Sequence, residues 1–166
     1  MISAQDLLTH AEDLLTSGRR GAPLQVNLRR AISAAYYGLF HHLLTDATDG
    51  LVGRTKRTEP AYGIVYRAFE HGQMKDRAGR AINLSPKTAS TLGIGAFSDL
   101  VRNGAATFVA LQAERHKADY DPNYRPSLET ARAQIEAARD AIANFSAAPT
   151  PEYQLFLVML LFKPRD

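Results

Sequence analysis

Apolar residues recur at helical spacing along almost the whole chain, and nowhere do they alternate with the two-residue period of a sheet. Leu7, Leu8, Ala11, Leu14 and Leu15 make the first such stripe, which predicts a helix over 3–17 with Ser3 as N-cap and Asp6 in its first turn. Gly18 to Pro23 end it. A second helix is predicted from about Gln25 to Asp46, with Ile32, Tyr36, Leu39, Phe40 and Leu43 on one face and Gly38 where another helix packs closely. After a Gly-, Thr- and Arg-rich stretch at 50–59, Pro60 opens a shorter helix through Tyr62, Val65, Tyr66 and Phe69.

Residues 71–92 read mainly as connection, because Gly72, Gly79, Asn83 and Pro86 interrupt the pattern; a helical turn is expected around 75–81 and another opening at Ser85-Pro86. The longest periodic run, 94–120, stops at Asp121-Pro122, since proline disfavours the helical conformation in the residue before it. Ser127 then caps a helix to about Phe145, with Ala131, Ile135, Ala138, Ile142 and Phe145 inward. Together these elements predict an all-α fold, an up-down bundle of four to five helices over residues 1–148, followed by an apolar segment at 149–166.

In that segment Tyr153 to Phe162 is apolar at nearly every position except Gln154, yet it has about half the length needed to span a bilayer. No membrane span is expected. Its Leu, Met and Phe content favours a short helix over a strand, opening at Thr150-Pro151-Glu152. A segment apolar all round must be covered by its own bundle or by a second subunit, so a homodimer is expected.

Composition narrows the chemistry. The chain of 166 residues holds no cysteine, which removes thiolate catalysis, disulfides and Cys-ligated zinc. An N-terminus carrying Asp6, Glu12 and Asp13 lacks the basic start and unbroken apolar run of a signal peptide, so a cytoplasmic protein is expected. The net charge of +3 is unevenly spread: residues 19–87 hold twelve Lys or Arg against five Asp or Glu, and the rest hold eight against twelve. Arg19-Arg20, Arg29-Arg30, Arg54-Thr55-Lys56-Arg57 and Lys75, Arg77, Arg80 could together attract a polyanion, or form solvated basic loops.

The most telling position is the end of the long run at 94–120. On a helix, Phe97, Leu100, Val101, Phe108 and Leu111 lie within about 60° of Arg115, and Asp119 about 40° from it, so two charged groups continue an apolar stripe. Two readings stand. Either they form a structural ion pair, or Asp119 orients Arg115 so that its remaining donors bind a phosphate. On the second helix Arg30, Ala34, Tyr37 and His41 share a stripe about 60° wide, separate from that of Tyr36 and Phe40. Tyr37 and His41 either pack against another helix or stand beside Arg115, where a hydroxyl and an imidazole contact phosphate or move a proton.

Other classes drop out. The histidines, His10, His41, His42, His71 and His116, form no Glu-x-x-His or His-x3-His pair on a predicted helix, so no metal site is expected. Gly93-Ile94-Gly95 is a lone Gly-x-Gly with no preceding strand, and no Gly-x-Ser-x-Gly is present; no cofactor is expected either.

The run RRAISAAYYGLFHHLL at 29–44, followed some seventy residues later by RHKADYDP, resembles the HEPN superfamily, the higher eukaryotes and prokaryotes nucleotide-binding domain. The matching positions are Arg30, Ala31, Tyr36, Tyr37, Phe40 and His41 of an Arg-Ala-x4-Tyr-Tyr-x-x-Phe-His run, and Arg115, Asp119 and Tyr120 of an Arg-x3-Asp-Tyr helix end. The likeness covers about residues 3 to 146 and is closest to small bacterial members. It implies an all-α bundle, usually a homodimer, that binds RNA or a nucleotide and often serves in toxin–antitoxin or other defence systems. Some members are paired with a nucleotidyltransferase antitoxin that modifies the tyrosine matched here by Tyr120.

Catalytic members use Arg-x4-6-His as a metal-independent ribonuclease site across the dimer. This chain departs from that pattern: Tyr120 stands five residues after Arg115, and His116 is adjacent to it. The resemblance therefore implies a homodimer in which Arg30, Tyr37, Asp119 and Tyr120 hold RNA or a nucleotide without the usual nuclease site. The alternative is a ribonuclease in which Arg115 binds the scissile phosphate and His41 transfers the proton, since an ordinary tyrosine, with a pKa of about 10, does so poorly.

Overall fold

A computed structural model describes residues 3–16 and 23–162, and the Arg19-Arg20 pair and the Gly18–Ala22 break lie outside the described residues. The fold is all-α. Eight α-helices are present among the described residues, with no strand: α1 (Ala4–Thr16), α2 (Gln25–Val52), α3 (Pro60–Arg67), α4 (His71–Ile82), α5 (Pro86–Leu92), α6 (Asp99–Tyr120), α7 (Leu128–Ala147) and α8 (Thr150–Leu161). They build two compact units, Met1–His42 with Thr107–Ile142 and Leu43–Ala106 with Ala143–Asp166.

In the first unit the predicted stripes become the core. Leu8, Ala11 and Leu15 of α1 are buried, as are Ile32, Tyr36 and Leu39 of α2, Phe108 and Leu111 of α6, and Ala131, Ile135 and Ala138 of α7. Ser3 accepts a hydrogen bond from the Asp6 amide at 3.3 Å, and Ser127 one from the Thr130 amide at 3.0 Å, so both predicted caps satisfy donors that a helix start leaves free. Gly38 meets Leu8: a Cβ there would stand 2.9 Å from Leu8 Cδ2. The Tyr36 ring stacks on Phe108 at 5.7 Å between centroids.

The second unit contains the segment that reads as connection. α4 forms over His71–Ile82 despite Gly72 and Gly79 because Met74, Ala78 and Ala81 keep a buried face at i, i+4 and i+7, which packs with α8. Arg77 of α4 donates to the Leu160 carbonyl at 2.8 Å and the Leu161 carbonyl at 2.5 Å, groups that the C-terminus of α8 leaves without a helical partner. α5 opens at Ser85-Pro86, where Ser85 accepts from the Thr88 amide at 3.1 Å, and closes on Gly93 with φ 68°, in the left-handed region that favours glycine.

Element limits shift where burial or capping overrides local pattern. α2 runs past Asp46 to Val52, since Ala47 and Thr48 continue its buried face and the Thr48 hydroxyl returns to the Leu44 carbonyl at 2.7 Å. α6 begins at Asp99 rather than 94, with Phe97 buried just ahead of it and the Ser98 backbone carbonyl accepting from the Arg102 amide at 2.9 Å. α8 is a helix from Thr150. Its Phe156, Leu157, Met159 and Leu160 are buried, and Phe156 stacks on Phe145 at 5.2 Å. No described helix is long and apolar enough to cross a membrane.

Gly104 of α6 makes room for Phe145 of α7: a Cβ at 104 would fall 2.6 Å from Phe145 Cζ. Gly104→Ala is therefore expected to lower stability by about 1–3 kcal/mol through overpacking. Urea denaturation followed by circular dichroism measures it; an unchanged midpoint contradicts the close approach.

Candidate functional site

Arg115 and Asp119 lie one turn apart near the end of α6, and only 15% and 21% of their side chains are exposed. Arg115 Nε stands 2.6 Å from Asp119 Oδ2, close enough for an ion pair, but its N–H is not aimed for a hydrogen bond. The carboxylate has a second partner: Ser33 of α2, itself buried, donates to Asp119 Oδ1 at 2.5 Å. Arg115 Nη2 donates to Tyr37 Oη at 2.6 Å. Thus α2 supplies one partner to each member of the pair.

Aromatic faces complete the setting. The Arg115 guanidinium carbon lies 5.3 Å from the centroid of Tyr37, 5.5 Å from that of Tyr120 and 5.9 Å from that of Tyr36, all within cation–π range. Burial works against the Arg115 charge, and Tyr37, Asp119 and Tyr120 outweigh it, holding the group above its ordinary value. Burial likewise pushes the Tyr36 hydroxyl far above the usual phenol range, with Arg115 drawing it partly back. Arg115 therefore stays a cation and Tyr36 stays neutral at any physiological pH.

Beside this pair the first unit opens into a cleft of about 810 Å³. Gln25, Arg29, Arg30, Ser33 and Tyr37 line it from α2. Asp119 and Tyr120 line it from α6, and Arg125 from the following loop. Arg29 Nε donates to the Ala118 carbonyl at 2.6 Å, one of the carbonyls left open by the end of α6. Arg125 Nη1 donates to the Pro122 and Tyr124 carbonyls at 2.8 and 3.2 Å. The loop bearing it is fixed by Tyr124, which donates to Glu114 at 2.7 Å, and by Gln25, which donates to the Pro126 carbonyl at 3.2 Å.

Among the described residues no carboxylate is ion-paired with Arg29, Arg30 or Arg125. The one carboxylate lining the cleft, Asp119, is already engaged by Arg115 and Ser33. Uncompensated cations on fixed backbone, beside a hydroxyl and an exposed ring, suit a phosphate-bearing ligand. A second cleft, of about 480 Å³ in the other unit, has the opposite character: Asp46 and Asp49 line it with Leu51, Leu157 and Val158. Its carboxylates are taken up by Tyr153, Tyr62 and Arg57.

Of the residues singled out in the sequence, Arg30, Tyr37, Asp119 and Tyr120 line the first cleft together, and Arg115 stands behind them. His41 does not line it. The imidazole lies one turn beyond Tyr37 on α2, with ring centroids 6.3 Å apart, and packs edge-on to Phe40 at 5.5 Å. Sequence reasoning placed Arg29 in a basic patch without joining it to this site, and missed Ser33 and Arg125 as site residues. Ser33 carried a usable signal, being one turn before Tyr37 and one after Arg29; Arg125, in a loop after Pro122, carried none.

Compared with protein-family models, curated proteins and solved structures, the chain matches none.

Burial lowers the His41 pKa below its ordinary 6.5, so the unfolded chain binds the proton more readily than the folded one. The stability this group confers is complete above pH 6.5 and is lost as pH falls through that value toward its folded pKa. His41→Gln is expected to flatten the fall of melting temperature between pH 7.5 and 5.5 relative to wild type. Parallel curves for the two proteins contradict the burial effect.

Proposed function

We propose that this chain is a HEPN-like homodimer that binds RNA or a nucleotide through the cleft between the start of α2 and the end of α6, serving in a toxin–antitoxin or defence setting. The observation that carries this reading is the placement of Arg29, Arg30 and Arg125 around one cleft with no carboxylate among the described residues paired to any of them. Backbone carbonyls hold two of these arginines without neutralising them, so their charge remains available for phosphate oxygens. Arg115 is the framework of the site. Its contacts with Tyr37 and Asp119 join the two motifs on which the family likeness rests.

The ribonuclease alternative has less support. It requires His41 near the phosphate, and His41 lies outside the cleft lining; it requires Arg115 to engage substrate, and Arg115 is already enclosed by tyrosines and Asp119. Tyr120 occupies the position that holds histidine in catalytic members.

Anisotropy titrations with a fluorescein-labelled RNA at several salt concentrations test the reading. Arg30→Ala and Arg125→Ala are each expected to weaken binding about three- to tenfold and to reduce the slope of log K against log salt by about 0.7, as for one lost phosphate contact on a single strand. Unchanged affinity and slope in both variants overturn the assignment. The same RNA incubated with protein and EDTA is expected to stay intact; cleavage lost in both Arg115→Ala and His41→Ala reverses the conclusion in favour of the nuclease. Light scattering is expected to give twice the monomer mass, and a monomer at all concentrations removes the dimer from the proposal.

A further inference from the structure

Tyr120 differs from the other two rings around Arg115. Tyr36 is fully buried and Tyr37 is half-buried with its hydroxyl engaged by Arg115, whereas Tyr120 is 64% exposed and lines the cleft. An exposed aromatic ring at the last residue of a helix does little for the core, so burial does not account for its placement. The ring is nevertheless held: the Arg115 guanidinium lies 5.5 Å from its centroid and the His116 ring 5.0 Å away. A positioned, accessible π surface thus faces the same cleft as exposed Arg30 and Arg125.

Resting on the reading that this cleft takes RNA or a nucleotide, we propose that Tyr120 is the stacking platform for one unpaired base, with a purine preferred, while Arg30 and Arg125 hold the flanking phosphates. Stacking on tyrosine needs the base free of its neighbours, so a single strand binds and a blunt duplex does not gain the contact. The larger π surface of a purine gives the stronger stack, which makes this one position a source of base preference without hydrogen-bond readout. The cleft volume of about 810 Å³ leaves room for a nucleotide beside the ring.

Three fluorescein-labelled RNAs separate the terms: octauridylate, the same octamer with one central adenosine, and a blunt duplex. The two octamers carry the same phosphates, so any difference between them reads the base. Wild type is expected to bind the adenosine octamer about threefold or more tighter than octauridylate, and the duplex more weakly than either at equal salt. Tyr120→Phe is expected to keep both affinity and preference, and Tyr120→Leu to weaken adenosine binding about tenfold and erase the preference while keeping the salt slope. Equal binding of the two octamers by wild type, a preference that survives Tyr120→Leu, or tight duplex binding overturns the stacking role. Octamer binding that falls in Arg30→Ala or Arg125→Ala but ignores Tyr120 sinks the stacking role alone. Failure of wild type to bind any of the three RNAs overturns it together with the reading beneath it.

Discussion

A charged pair set into the end of an apolar helix stripe must find partners from a neighbouring helix, and that requirement organises the first unit. Arg115 and Asp119 could satisfy each other, but a partly buried guanidinium and carboxylate have more donors and lone pairs than one contact uses. Tyr37 and Ser33, one turn apart on α2, take the remainder. The register of α2 against α6 is thereby tied to polar geometry as well as to the packing of Tyr36 on Phe108. Apolar packing tolerates small slips; a hydroxyl aimed at a carboxylate does not.

That division of labour separates two kinds of arginine. Arg115 is neutralised and caged, so it serves as scaffold, whereas Arg29 and Arg125 are oriented by carbonyl oxygens that fix direction without cancelling charge. The helix end contributes here too. Ala118 offers a carbonyl that lacks a helical donor, and Arg29 both fills that vacancy and remains a cation at the negative end of α6.

Much of this was legible in the chain itself. The inward direction of Arg115 and Asp119 follows from their phase relative to Phe108 and Leu111, and the Arg30–Tyr37 stripe follows from the same arithmetic. The helical nature of α8 was readable from its Leu, Met and Phe content. What escaped depends on contacts between segments distant in sequence. α4 has two glycines, and its apolar face is only Met74 and two alanines on an otherwise polar segment, so glycine content outweighs that small stripe until α8 covers it. Arg125 enters the cleft only because Tyr124 reaches back to Glu114, a loop closure that no periodicity announces. His41 shares the stripe of Tyr37 but stands a turn further on, beyond the cleft lining, because phase on a helix fixes direction and not height.

The grip of Arg77 on the last carbonyls of α8 has a consequence for how the second unit comes apart. α4 is a weak helix by composition and α8 is apolar nearly all round, and each offsets the other's defect: one covers an apolar surface, the other supplies a packing face and two acceptors. Where the two helices lose each other, the amides of both are expected to exchange more readily, although 67 residues of chain (83–149) lie between them.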